Sequence, residues 1–337
     1  MTPHRIASRR IFAFSALCVA FAWSTAASAV TTIRVAGNFA VDHSSSKAIE
    51  FFKQDVEKST GGQLVVEAFP AMQLGGAQEN VSQVRSGTIM MTWVGMAFLA
   101  RTVPELEAVS LPFLFPTREI AFKVMDGKVG DLIDDKLAAK GFKSLGYMEL
   151  GRRQLTNSKR PIASVDDMKG LKIRLQPIES HLATFRALGM NPVAMDIKEV
   201  YSALQQGVID GQDNPYALIQ ASRFFEVQKY VSNTGQFFDF ISVVANRKAF
   251  EALSPEFQKA IVSSMNKAIT MQRAEAAQAE AKSLAFIQAN GMTYTPLPAA
   301  ELAKMQTLTR PVIDQIKQRV GADLVDKVLA EVTAASK

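Results

Sequence analysis

From residue 31 to residue 95, short strand-like runs alternate with runs of helical period. That alternation constrains the fold more than any other feature of the chain. "TTIRVAGNF" reads as a strand ending in a polar loop. "SSSKAIEFFKQDVEKSTGG" follows as a helix that opens on serines, sets Ile49, Phe52 and Val56 on one face and stops at Gly61. "QLVVEAF" is a second strand, "GAQENVSQVRSG" a second helix and "TIMMTWV" a third strand. A β-α-β-α-β series calls for an α/β domain built on a mostly parallel sheet. Beyond a Pro-punctuated loop, "VPELEAVSLPFLFP", residues 117–140 read as helical and "FKSLGYMEL" as a strand.

A second series begins near residue 153. "SVDDMKG" reads as a short helix with Ser164 and Asp167 at capping-box spacing. "LKIRLQ", "NPVAM" and "VIDGQDN" read as strands, separated by the helices "IESHLATFRALG" and "DIKEVYSALQQG". Two more strand-like runs, "KYVSNTG" and "FDFISVVAN", precede one long helix from Ser254 to the Asn290-Gly291 stop. Its apolar positions lack sustained heptads, so it is expected to be a spine crossing both domains rather than a coiled-coil arm. Two shorter helices, 299–319 and 321–335, close the chain.

Residues 1–29 read as an export signal: Arg5, Arg9 and Arg10, then the apolar run "IFAFSALCVAFAW", then small residues around a cut near Ala29. "SRRIF" leaves twin-arginine export open beside general secretion. Cys18, the one cysteine of the chain, follows Leu17, where a lipoprotein site needs a small residue, so no lipid anchor is expected. Removing 29 residues from 337 leaves 308, which favours two domains, and losing three arginines takes the formal charge from +6 to +3. That charge and the absence of a Lys/Arg-rich run argue against nucleic acid. Without cysteine, the mature chain has no thiol nucleophile, disulfide or thiolate metal site.

The chain holds no Gly-rich phosphate loop, G-x-S-x-G elbow, H-E-x-x-H or Cys/His cluster. His43 and His181 are read as surface residues rather than catalysts or metal ligands. Asp166 and Asp167 are read as serving a helix N-terminus rather than as a catalytic pair. "DGQDNPYALIQ" breaks the EF-hand pattern, so Asp210 and Asp213 are expected to fix a loop rather than hold calcium.

Strand-end polar groups remain. Asn214 precedes Pro215, which biases it to extended geometry and projects its amide from the strand end, where open α/β sheets bind ligands. Arg174 closes "LKIR" and suits a planar carboxylate, although a solvated or salt-bridged arginine is the plainer reading. Arg153 lies at the crossing between the two series, where a structural ion pair is the alternative. Asn38 ends the first strand.

These residues sit in segments that resemble the solute-binding subunits of tripartite ATP-independent periplasmic (TRAP) transporters, the DctP-like family. The likeness covers about 31 to 335. It is carried by "KAIEFFKQDVEKSTGGQLVVEAFPAMQLGG", "VSLPFLFP", "RQLTNSKRPI", "DMKGLKIR" and "EVYSALQQGVIDGQDNP…FFEVQKYVSNTG".

The resemblance implies a two-domain periplasmic-binding-protein fold with hinge strands, closing on a small organic acid and docking on a membrane permease. It implies a periplasmic monomer with no catalysis, cofactor or metal. The expected division is 31–152 plus about 240–279 as one domain, and about 153–239 plus 280–337 as the other. It carries the carboxylate clamp to Arg174, the "NG-x-R" arginine to Arg153 and the "GQ-[ED]-NP" asparagine to Asn214. Asn38 falls at the first-loop contact. The family's "NGFR" reads "LGRR" here, so Arg152 is a second candidate to face the cleft. "RVP" reads "RLQP", the aromatic before "EVY" is Ile197, and "TNH" is "TGQ" with Gln236, so the pocket wall is expected to differ. Trp93, Phe237, Phe238 and Tyr216 are candidate wall residues, with plain core as the alternative. A periplasmic enzyme acting on a small acid and a sensor's ligand-capturing partner are the competing readings.

Overall fold

The computed structural model describes residues 1–2 and 30–337. The expected export signal therefore falls, beyond its first two residues, outside the described residues, and Cys18 with it. The first series forms β1 (Thr31–Gly37), α1 (Ser44–Ser59), β2 (Leu64–Phe69), α2 (Ala77–Ser86) and β3 (Met91–Gly95). α1 is capped by His43, whose Nδ1 accepts from Ser45 N, so the serines begin the helix rather than cap it. The 117–140 stretch is two helices, α3 (Arg118–Met125) and α4 (Lys128–Ala139), parted at Asp126-Gly127. β4 (Phe142–Arg152) runs to the domain crossing.

The second series gives β5 (Gln154–Asn157), β6 (Lys172–Leu175), α5 (Glu179–Ala187), β7 (Asn191–Ala194), α6 (Ile197–Gln205), β8 (Gly211–Asn214), α7 (Tyr216–Ala221) and β9 (Tyr230–Ser232). "SVDDMKG" makes one 3-10 turn, Asp166–Met168, with Asp167 accepting from Ser164 N. β10 (Phe238–Asn246), α8 (Arg247–Glu251), α9 (Pro255–Ala289), β11 (Thr293–Thr295), α10 (Ala299–Val320) and α11 (Ala322–Ala335) complete the chain.

Two mixed sheets result, ordered β2-β1-β3-β10-β4 and β11-β9-β5-β8-β6-β7. In the first, β2, β1 and β3 run parallel and β10 enters antiparallel between β3 and β4. In the second, β8, β6 and β7 run parallel while β5 opposes β8. The chain leaves the first sheet at Arg153, between β4 and β5, and returns through 233–237 into β10. This is the two-domain α/β architecture that the sequence calls for.

The long helix also forms as expected. Ser254 Oγ accepts from Phe257 N at 3.2 Å, Pro255 opens the helix and Asn290 caps it. α9 packs on α1 and β4 of the first domain and on α7 of the second, so it is a spine. The C-terminal helices divide differently from expectation. α10 packs on α5 of the second domain but also on the turn Pro104–Val109 of the first, and α11 packs on α3 and α4. Val325, Val328 and Val332 of α11 find their cover in the core that contains Leu106, Val124 and Ile133, so α11 belongs with the first domain.

Gly211 opens β8 where it passes closest to β5. A Cβ there would stand 1.9 Å from Thr156 O and 2.9 Å from Asn157 Cα, both backbone atoms that cannot turn aside. Gly211→Ala is expected to destabilise the protein by about 1–3 kcal/mol through overpacking, read as a lower urea midpoint at unchanged m-value.

Candidate functional site

The ends of β1, β3, β6 and β8 converge between the domains on a small cavity. It is lined by Asn38, Phe39, Gly95, Phe98, Leu150, Arg174, Gln176, Ile197, Asn214 and Leu218. The free space is about 10 Å³, room for roughly one water. Arg174, Asn214 and Asn38 are thus brought together around one space. Gln176 and the apolar wall were not singled out from the sequence, although the "RLQP" departure pointed at Gln176 and the departure before "EVY" at Ile197.

Three polar atoms around this space are buried without a protein partner: Arg174 Nη1, Asn38 Oδ1 and Gln176 Oε1. Arg174 is fully buried, and its Nε and Nη2 donate to the Met195 carbonyl at 2.9 and 2.7 Å. It has no carboxylate of its own. Burial, helped by repulsion from Arg153, pushes its pKa down to about 9. A cation so desolvated gains more than most from an incoming anion.

Arg153 does not border the cavity. Its Nε donates to Asp213 Oδ2 at 2.8 Å, its Nη2 to Asp213 Oδ1 at 2.9 Å and its Nη1 to Asp239 Oδ2 at 3.0 Å, all within a buried cluster. Burial would raise Asp213, but the Arg153 charge more than offsets that and leaves the carboxyl below its usual range. Asp239, with one contact against Asp213's two, is left above it by burial. Arg152 does not reach the cavity either. Its guanidinium donates to the Gly235, Phe115 and Pro116 carbonyls and lines a separate open groove of about 790 Å³.

Gln236 is buried with its Nε2 on Asp213 Oδ2 at 3.1 Å, so it serves the ion cluster rather than the wall. Trp93 lies in the first-domain core, edge-on to Phe52. Phe237 stacks on His181 at 3.8 Å, and Phe238 packs with Phe240 in the core under α3. None of these three aromatics lines the cavity: Trp93 and Phe238 turn from their strands into core clusters, and Phe237, just before β10, turns into the core of the second domain. Tyr216 lines the Arg152 groove. Both histidines are buried rather than at the surface: His43 as the α1 cap and His181 against Phe237.

Across the mouth, Asp196 serves both domains. Its Oδ1 accepts from Lys198 N at the start of α6, and its Oδ2 accepts from Gln78 N at the start of α2 at 3.0 Å. Lys198 Nζ reaches Glu79 Oε2 at 3.1 Å beside it. Gly76 lets the carboxylate in, since a Cβ there would come within 2.7 Å of Asp196 Oδ1. Sequence reading missed Asp196 because its two helices lie 118 residues apart. Among the described residues no cluster of His, Cys, Asp and Glu could hold a metal ion, and no helix is long and apolar enough to cross a membrane.

Arg153→Ala strands two buried carboxylates and is expected to cost about 3–5 kcal/mol in urea unfolding. Burial holds His43 down to about 4 and His181 to about 3, so both stay neutral in the fold while the unfolded chain takes protons below about 6.5. Each should therefore remove stability at up to about 1.4 kcal/mol per pH unit as pH falls from 6.5 toward 4. Asp239 and Glu149, raised by burial, work in the opposite sense. The comparison that isolates the histidines is the slope of stability against pH in a His43→Gln/His181→Gln double variant, which is expected to be shallower than in the parent.

Residues 35–319 match the model of the bacterial extracellular solute-binding protein family 7, DctP. The chain is 38% identical over 261 residues to the 2,3-diketo-L-gulonate-binding periplasmic protein YiaO of Escherichia coli, covering 77% of this chain and 80% of that one. It also superposes on the sugar acid binding protein DctPAm of Advenella mimigardefordensis in complex with galactonate. There the TM-score is 0.89 at 30% identity, over 91% of this chain and 99% of the other. A TRAP periplasmic solute-binding protein of Sulfurospirillum deleyianum with bound succinate gives 0.86 at 30% identity, over 90% and 99%. With its two-domain fold and its polar strand ends gathered in the cleft, this chain belongs to the bacterial extracellular solute-binding protein family 7, the receptors of TRAP transport.

Proposed function

We propose that this protein is a periplasmic receptor that captures a small organic acid between its domains and passes it to the permease subunits of a TRAP transporter. The observation that carries the reading is Arg174 Nη1, a buried cationic donor without a protein partner, on the wall of the interdomain cavity. The acids named for its relatives, a diketo sugar acid, galactonate and succinate, all present a carboxylate to such a group.

In the mechanism that follows, the domains part about the strand crossings at 152–154 and 233–237. The acid enters, its carboxylate pairs with Arg174, and closure brings Asp196 onto the α2 N-terminus. About 10 Å³ of free space means that no such acid enters without this opening. The moving units are residues 31–152 with 240–279 and α11, against 153–239 with the segment from 280 through α10. The ligand leaves chemically unchanged, and no cofactor or metal takes part. Residues 1–29 direct export and are removed near Ala29, and the mature receptor works as a monomer.

Arg174→Ala leaves the bound carboxylate buried without its cation. The expected loss is on the order of 3–5 kcal/mol, several hundred-fold or more in affinity, by isothermal titration calorimetry against the best acid from a thermal-shift screen. Unchanged affinity would overturn the clamp assignment, and recovery of altered acid after long incubation would overturn the receptor reading.

A further inference from the structure

The orientations of Asn214 and Asn38, two of the amides on the cavity wall, are fixed by hydrogen bonds that run away from the cavity. Gln228 Nε2 donates to the Val227 and Asp210 carbonyls at 3.1 and 3.3 Å, so its Oε1 is the accepting end. Thr156 Oγ1 donates to that oxygen at 2.8 Å and has its lone pairs left for Gln212 Nε2, at 2.9 Å. Gln212 Oε1 must then accept, and it does so from Asn214 Nδ2. The free end of Asn214 is therefore its Oδ1. The other wall repeats the logic. Asn80 Nδ2 donates to the Leu74 carbonyl at 3.0 Å, so Asn80 Oδ1 accepts from Asn38 Nδ2 at 2.7 Å and Asn38 Oδ1 is left free.

Both relays end on main-chain carbonyls, which can only accept, so neither amide can turn over without stranding a buried group. The cavity wall thus offers one cationic donor, Arg174 Nη1, and two amide acceptors held in place, Asn38 Oδ1 and Asn214 Oδ1, beside the Gln176 amide, whose Oε1 also has no protein partner. Arg153, the other buried cation nearby, is spent on Asp213 and Asp239.

We infer that this cavity selects hydroxylated monocarboxylates, and that Thr156 is the positioning residue that enforces the choice. The inference rests on the reading of the cavity as an acid site. One carboxylate takes Arg174, the unpaired cation on the cavity wall among the described residues, and ligand hydroxyls supply the hydrogens that Asn38 Oδ1 and Asn214 Oδ1 require. A second carboxylate or a ketone at those points would set oxygen against oxygen with no proton between them. An ammonium group would meet no free carboxylate on the wall.

Calorimetry with three four-carbon acids, D-erythronate, succinate and butyrate, and with D-galactonate for length, tests this directly. The wild type is expected to bind at least one hydroxy acid tenfold or more tighter than succinate and butyrate. Succinate binding as tightly overturns the inference while leaving the carboxylate reading in place. No binding of any acid at millimolar concentration overturns both.

Thr156→Val removes the hydroxyl that orients Gln212, so Asn214 is free to turn its Nδ2 inward. The ratio of hydroxy-acid to succinate affinity is expected to fall at least tenfold and to be restored in Thr156→Ser. If Thr156→Val weakens every acid equally, Thr156 is structural only and its assigned role falls. Should Thr156→Val not fold, the wild-type panel decides the ligand class, and Thr156→Ser losing the wild-type preference would overturn the Thr156 role.

Discussion

The buried contact of Arg153 with Asp213 and Asp239 is the interaction on which the rest depends. It joins the crossing between β4 and β5 to the end of β8 and the start of β10, and Arg153 N also donates to Phe237 O at 2.9 Å. Taking three charges out of water is costly, so its value lies in geometry rather than in net stability. The guanidinium meets one carboxylate from β8 and one from β10, so it ties both crossings together at one point. The same contact neutralises Arg153 locally, and this leaves Arg174 as the cation without an acidic partner on the cavity wall.

Much of this was legible in the sequence, because the signals were local. Strand and helix periods located the two sheets, and Ser254, Pro255 and Asn290 marked the ends of α9. A strand end followed by Pro215 marked Asn214. The arginine of "LKIR" was legible as a candidate, and its solvated alternative fails against full burial. What stayed hidden was non-local. Asp196 caps two helices from different domains, and Gln212, Thr156 and Gln228 form a chain across three segments. Whether Trp93 and Phe238 face core or cleft depends on which side of the sheet the domain covers, which strand alternation alone does not say. α11 was misassigned for a related reason: its valine stripe shows that it packs, not on what.

The departures from the family pattern also resolve physically. In "LGRR" neither arginine borders the cavity: Arg153 turns into the ion cluster, and Arg152 is held by three carbonyls along the hinge-side groove. In "RLQP" the glutamine replaces a residue without hydrogen-bonding capacity, so Gln176 adds a polar group to the wall. Ile197 in place of an aromatic keeps the wall apolar but offers no ring face for stacking.

Asp196 has a consequence for how long a solute is held. Its contact with Gln78 N is made by one carboxylate oxygen at the rim, and the neighbouring Lys198–Glu79 pair is half in water. When the domains part, water can replace both contacts at little cost, whereas Asp196 keeps its own helix capped through the other oxygen. The rim therefore works as a weak clasp rather than a lock, and residence time is left to the buried contacts of the solute itself.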